Sequence, residues 1–258
     1  MNSSEAIQMR EKSVIITGGA SGMGKATAGL VARAGGKVII ADINRDQGEE
    51  VAQSIRDAGG DAHFVYTDLS DEASIQDLVT SAINRFGRID AAFNNGAIPP
   101  LGKRLHEVST TELMRTITMN LMSVFWCMKY EISAMLSSGG GSIVNTSSAA
   151  AMSAIPYSSE YTAAKGGVLS ISRCAAAEYA RENIRVNAIL PGAIRTPMLE
   201  QAFGSNVEIE TSLRERSLMG RFGEPTEIGA AALFLLSDAS SFINGVWLPV
   251  DGGQGVVF

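Results

Sequence analysis

Short apolar runs alternate with helical patterns along nearly the whole chain, and each pair is separated by a glycine, proline or polar break. Val14-Ile15-Ile16 is a β-branched run that ends in Thr17-Gly18. Met23, Ala26, Leu30, Val31 and Ala34 then recur at helical spacing until Gly35-Gly36. Lys37–Asp42 reads as a buried strand with an acid at its end, and Asn44–Ala58 as a helix with Val51 and Ile55 inward. Ala62–Asp68 predicts a third strand. A helix capped by Ser70 follows, with Ile75, Leu78, Val79, Ala82, Ile83 and Phe86 on one face and Gly87 at its end. Ile89–Asn94 predicts a fourth strand, and a loop with Pro99, Pro100 and Gly102 comes after it.

Ser109 and Glu112 have capping-box spacing at the head of a long helix reaching about Leu136. Gly141–Ser148 predicts a fifth strand, Ser159–Arg181 a helix, and Arg185–Leu190 a sixth strand. Residues 197–220 carry no clean period. Pro225 opens another helix, and Gly245–Val250 is the last strand. Strands alternating with helices imply a parallel sheet covered on both faces, a doubly wound Rossmann-type α/β fold of about seven strands. No linker or repeat divides the chain, so 1–258 reads as one domain, with 1–12 as a tail and 197–220 as a lid over the site.

Composition agrees with a buried core: 45 % of residues are hydrophobic and 19 % charged. A net charge of −6 with no basic run argues against a nucleic-acid partner. No stretch has the length of a signal peptide or a membrane span, so a cytoplasmic protein with no membrane partner is expected. Cys127 and Cys174 sit in separate helical patterns and read as buried packing residues. His63 and His106 lie in a strand and a loop, outside any cluster, and no metal is expected.

In a parallel sheet, ligands bind beyond the carboxyl ends of the strands. Gly18, Asp42, Asp68, Asn94, Ser148 and Pro191-Gly192 all fall at such ends. Gly18, Gly19, Gly22 and Gly24 make a turn into a helix start, where free N–H groups and a partial positive charge suit a pyrophosphate. Asp42, 18 residues after Gly24, can accept from two ribose hydroxyls and would repel a 2′-phosphate, favouring NAD over NADP. Asp68 either accepts from an adenine amino group or helps start the next helix. Asn94 and Asn95 either hold the ribose side of the cofactor or tie the strand end to its neighbour. Tyr161 and Lys165 are four apart on one helix face, where an ammonium would lower the phenol pKa.

These motifs together resemble the short-chain dehydrogenase/reductase family, in its compact single-domain form. The resemblance runs from about Ser13 to Gly253. Its T-G-x-x-x-G-x-G turn is Thr17–Gly24, its catalytic pattern falls on Asn120, Ser148, Tyr161 and Lys165, its P-G-x-x-x-T segment is Pro191–Thr196, and Asp251-Gly252-Gly253 is its closing turn. One departure stands out: Asn94-Asn95-Gly96-Ala97 replaces the family's Asn-Asn-Ala-Gly, which puts the backbone angles at Ala97 in question.

The resemblance implies that Tyr161 exchanges the alcohol proton and that Lys165 lowers its pKa and bonds the nicotinamide ribose. It further implies that Ser148 holds the substrate oxygen and Asn120 holds a water leading from Lys165. The cofactor is expected along Gly18, Ser21, Gly22, Met23, Gly24, Asp42, Ile43, Asp68, Leu69, Asn94, Gly96, Tyr161, Lys165, Pro191, Gly192, Ile194 and Thr196. Met198, Leu199, Phe203, Leu213 and Met219 are expected on the lid, with Met152, Ile155 and Pro156 opposite. That wall suits a hydrophobic or cyclic secondary alcohol or its ketone, while Arg195, Arg214 and Arg216 could instead anchor an acidic substrate. The alternatives are a 3-oxoacyl thioester reductase of acyl-carrier type and a non-catalytic nucleotide-binding regulator. A homo-oligomer, tetramer or dimer, is also implied.

Overall fold

The computed structural model describes residues 7–153, 155–204 and 206–256. Seven strands form one parallel sheet: β1 (Ser13–Thr17), β2 (Lys37–Asp42), β3 (Asp61–Tyr66), β4 (Ala91–Asn94), β5 (Gly141–Thr146), β6 (Ile184–Pro191) and β7 (Trp247–Val250). Their order is β3-β2-β1-β4-β5-β6-β7, so the winding reverses between β1 and β4. That reversal opens a crevice at the strand ends, the usual ligand position in open α/β sheets.

Both faces of the central strands are covered, which is why β1 and β2 read as nearly unbroken apolar runs, while edge strand β3 alternates buried and exposed residues. In β1, Val14 and Ile16 pack toward α1 (Gly22–Arg33), α2 (Arg45–Asp57) and α9 (Pro225–Leu236). Ile15 faces the opposite core, formed with α3 (Glu72–Phe86), α5 (Ser123–Ser138) and α6 (Ser159–Glu178). Val38 and Ile40 against Ile39 and Ala41 repeat the alternation on β2. The expected tail is partly outside the described residues. Within them, Met9 is buried in the first core and its N–H donates to the Ala34 carbonyl.

Several boundaries differ from the sequence pattern. Asp71, not Ser70, caps α3, accepting from the Ala73 N–H, while the Ser70 hydroxyl donates to Asp68. Ile83 on that helix is exposed. The long helix is not continuous. It comprises α4 (Thr110–Ile117), a π-helical turn over Thr118–Met122 and α5. Residues 197–220 contain two short helices, α7 (Pro197–Phe203) and α8 (Val207–Glu215). Cys127 is buried as expected, whereas Cys174 is exposed; both are free thiols. Among the described residues no helix is long and apolar enough to cross a membrane.

A polar cluster lies inside the second core. Glu131 of α5 is fully buried, and Asn94 Nδ2 donates to its Oε2 at 2.9 Å and to Asn145 Oδ1 at 3.0 Å. Burial pushes the Glu131 carboxyl up to about 7, against a smaller downward pull from the Asn94 hydrogen bond. Its ordinary value is 4.5, so the folded state holds the proton longer than the unfolded chain does. Stability therefore falls as pH rises from about 4.5 to about 7, by about 3 kcal/mol for a shift of this size. Glu131→Gln removes the ionisation and keeps an acceptor for Asn94. Its thermal midpoint is expected to gain on the native protein between pH 5 and pH 8. Parallel melting curves at the two pH values would contradict the burial argument.

Candidate active site

The glycine turn after β1 is the first wall of a cavity of about 520 Å³. Gly18 and Gly22 have φ of +64° and +50°, a region that residues with a Cβ seldom enter. A Cβ on Gly18 would also stand 2.8 Å from the Gly96 Cα. Gly24 works differently: it faces the Gly18 carbonyl, lets α1 seat against the turn and does not line the cavity. Ser21 caps α1 without a side-chain hydrogen bond, and the first turn has no acidic residue. The helix start thus presents its N–H groups to the crevice without a competing anion, and the cradle fits a pyrophosphate.

Asp42 closes the other side of this turn. Its Oδ2 accepts from the Ala20 N–H and its Oδ1 from the Asn44 N–H, both at 3.0 Å. The carboxylate lines the cavity with Ile43 next to it, Asp68 and Leu69 beyond, and Thr67 between the strands. The Arg45 guanidinium lies 5.1 Å over the Tyr66 ring. Asp68 does start the next helix: its Oδ1 accepts from both the N–H and the hydroxyl of Ser70.

The structure does not bring the Asn94 side chain to the cavity. It is spent on Glu131 and Asn145, because this end of β4 points it into the second core. Asn95 takes the crevice position instead. Its N–H donates to Thr17 Oγ1 at 3.0 Å and its side-chain amide to the Thr17 carbonyl at 3.2 Å. Thr17 Oγ1 accepts from Gly96 N–H as well, so Asn95 and Gly96 tie the end of β4 to neighbouring β1 across the reversal, the second of the two expected roles, with Thr17 as the partner that the spacing did not reveal. The Gly96-Ala97 exchange is accommodated without strain. Ala97 is not in the left-handed region, and Leu69 Cδ1 occupies the space where a Cβ at residue 96 would stand, 2.3 Å away.

The opposite wall carries the groups for chemistry. Ser148 follows β5 and caps a short 3-10 turn, its hydroxyl accepting from the Ala150 N–H at 3.1 Å. Tyr161 and Lys165 project from the first turns of α6 into the same cavity. The Lys165 Nζ donates to the Thr146 carbonyl at 2.8 Å and lies 5.7 Å from the centre of the Tyr161 ring. The Ser147 hydroxyl donates to the Lys165 carbonyl, fixing this stretch of α6 against β5.

Burial pushes the Tyr161 phenol above its ordinary value of 10, and the Ser148 hydroxyl pulls it part of the way back. Burial brings the Lys165 ammonium down to about 8. The lowering of this phenol comes from Ser148 rather than from Lys165 as expected, and desolvation of the tyrosine outweighs it.

Asn120 sits in the π-helical turn and is fully buried. Its Oδ1 accepts from the Ile98 N–H at 2.8 Å and its Nδ2 donates to the Ile98 carbonyl at 3.1 Å. Its side chain holds the loop after β4, rather than facing the cavity. That loop supplies Ile98, Pro99 and Pro100 to the wall, a contribution its aperiodic sequence did not reveal. Pro191, Gly192, Ile194 and Thr196 line the far side as expected, and Thr196 caps α7.

Of the lid residues expected on the wall, Met198, Leu199 and Leu213 are there, and so is Ile155 opposite. Phe203 stacks on Phe222 instead, Met219 and Met152 are exposed, and Pro156 lies off the wall.

A family model described as Enoyl-(Acyl carrier protein) reductase matches residues 18–254. The chain belongs to the short-chain dehydrogenase/reductase family. The 2,5-dichloro-2,5-cyclohexadiene-1,4-diol dehydrogenase of Sphingobium indicum is 44 % identical over 94 % of this chain and 96 % of that one. The cis-4-hydroxycyclohexanecarboxylate dehydrogenase of Sinomonas cyclohexanicum is 39 % identical over 96 % and 98 %. The crystal structure of levodione reductase superposes with a TM-score of 0.94 at 34 % identity, covering 97 % of this chain and all of that one. As a short-chain dehydrogenase/reductase, the protein is an oxidoreductase of CH–OH groups that uses a nicotinamide cofactor.

Proposed function

We propose that this short-chain dehydrogenase/reductase interconverts cyclic secondary alcohols and their ketones with NAD. The observation that carries the reading is one mainly apolar cavity with Asp42 at one end and Ser148, Tyr161 and Lys165 at the other. A nicotinamide bound between them supplies the hydride acceptor for alcohol oxidation and the donor for ketone reduction. The Ser148 hydroxyl donates to the substrate oxygen and fixes it beside Tyr161. The Tyr161 hydroxyl exchanges the proton with that oxygen. Lys165, charged below about pH 8, keeps a positive field at this wall and is placed to hold the ribose.

Asp42, Gly18, Ser21, Gly22 and Met23 hold the adenosine and pyrophosphate in this reading, with Ile43, Asp68, Leu69 and Gly96 around the adenosine. Pro191, Gly192, Ile194 and Thr196 face the nicotinamide. The apolar wall of Ile98, Pro99, Ile155, Leu199 and Leu213 supports a ring substrate, as do relatives named for ring alcohols. The acyl-carrier reading would favour NADP, which Asp42 opposes. A homo-oligomer, tetramer or dimer, belongs to the proposal; exposed Leu113, Met114, Phe125 and Leu136 on α4 and α5 support self-association.

The test is reduction of NAD⁺ and NADP⁺, followed at 340 nm, across cyclohexanols, cyclic diols and linear secondary alcohols. NAD⁺ with a ring alcohol is expected to give the highest kcat/KM. A clear preference for NADP⁺, or for linear alcohols, would overturn the corresponding half of the proposal.

A further inference from the structure

The lid side of the cavity is apolar except at one corner. Arg216 follows α8 and lines the cavity. Gln254, only 5 % exposed, reaches it from the segment after β7. The two segments are joined: the Ser217 hydroxyl donates to the Gly252 carbonyl at 3.3 Å and the Met219 N–H donates to it at 3.2 Å. Among the described residues, neither the Arg216 guanidinium nor the Gln254 carboxamide has a hydrogen-bond or ion-pair partner.

Neighbouring arginines are engaged or turned away. Arg221 pairs with both carboxylate oxygens of Glu227 at 2.8 Å, and Arg195 lies 3.8 Å from Glu200 and over the Phe222 ring. The second Arg221 contact, to Glu227 Oε2, is also 2.8 Å. Arg214 is exposed and off the cavity. The nearby acid, Asp251, accepts from the Gly253 and Gly255 N–H groups instead of reaching Arg216. The acids that line the cavity, Asp42 and Asp68, belong to the adenosine end, and Asp251 is off its wall.

A cation and a buried amide facing an apolar chamber are stabilised when a ligand satisfies both. We infer that Arg216 and Gln254 form a subsite for a carboxylate on the substrate, remote from the carbon that reacts at Tyr161. A guanidinium presents parallel N–H donors that match the two carboxylate oxygens, and one cation balances one such charge. The amide N–H of Gln254 adds a donor. The substrate class is then a cyclic hydroxy or oxo acid. This step rests on the ring-alcohol reading above for the identity of the substrate, but the subsite itself can be tested without turnover.

The probe pair is cyclohexanecarboxylate and its neutral amide, titrated calorimetrically into protein saturated with NADH. The carboxylate is expected to bind at least about tenfold more tightly than the amide, as a charge-assisted pair requires. Arg216→Met, which keeps the aliphatic stem, is expected to abolish the difference; Arg216→Lys should keep part of it, and Gln254→Leu should reduce it. Melting curves establish that each variant is folded. Equal binding of the two probes by the native protein, or a difference that survives Arg216→Met, would overturn the subsite. Arg216-dependent carboxylate binding without turnover of any ring alcohol would leave the subsite standing and overturn the ring-alcohol reading instead.

Discussion

Tyr161→Phe is expected to lower kcat by about 10²–10⁴-fold while leaving the fold and the dinucleotide cradle in place. The substitution deletes one oxygen. The ring keeps its packing on α6, and Lys165 keeps its bond to the Thr146 carbonyl, which does not involve the tyrosine. The cradle at Gly18 and Gly22 lies on the opposite wall. Loss of rate with little change in NADH binding, followed by nucleotide fluorescence, would place the defect in proton exchange. A variant that retains most of the native kcat would sink the assignment.

The direction of reaction sharpens the same test. The phenol is raised by burial, so near neutral pH Tyr161 carries its proton and is ready to donate it to a ketone. Oxidation needs the deprotonated form and should gain as pH rises. Lys165 loses its charge through about pH 8, which weakens the field that favours the phenolate. Ketone reduction by the native enzyme is therefore expected to have its optimum at lower pH than alcohol oxidation, and Tyr161→Phe should flatten both profiles.

Much of this site was legible because it depends on backbone direction and fixed spacing. Strands buried on both faces leave continuous apolar runs, so β1 and β2 and the residues at their ends stood out. Tyr161 and Lys165 share a face of α6 whatever the tertiary surroundings. What stayed hidden depends on partners distant in sequence. The break at Thr118–Met122 leaves no gap in the apolar pattern; it coincides with Asn120 bonding the Ile98 backbone, 22 residues earlier. Asn94 reads equally as a cofactor contact or a strand-end tie until Glu131, 37 residues later, and Asn145 of β5 are seen to accept from it. Phe203 has the character of a cavity residue and is taken up by Phe222. The lid helices are too short to announce themselves by period, and Arg216 and Gln254 line one cavity only because the segment after β7 bonds the residues that follow α8.

Asp42→Ala is expected to raise the ratio of kcat/KM for NADP⁺ over NAD⁺ by about 10–100-fold, a change of about 1.4–2.7 kcal/mol. Two effects act in the same direction. The ribose hydroxyls of NAD lose their charged acceptor, and the 2′-phosphate of NADP loses a like charge at contact distance. The neighbours do not mask the result, since Arg45 is engaged over Tyr66 and Lys25 points to solvent from α1. The variant also frees the N–H groups of exposed Asn44 and buried Ala20, and about 1–3 kcal/mol of stability should go with them, mostly from Ala20. Asp42→Ser restores an acceptor for one of those groups without restoring the charge. If charge decides, the serine variant should shift cofactor preference nearly as far as alanine while melting closer to the native protein. A cofactor ratio unchanged in both folded variants would show that Asp42 serves the turn alone and would overturn the proposed assignment of NAD on the strength of this residue.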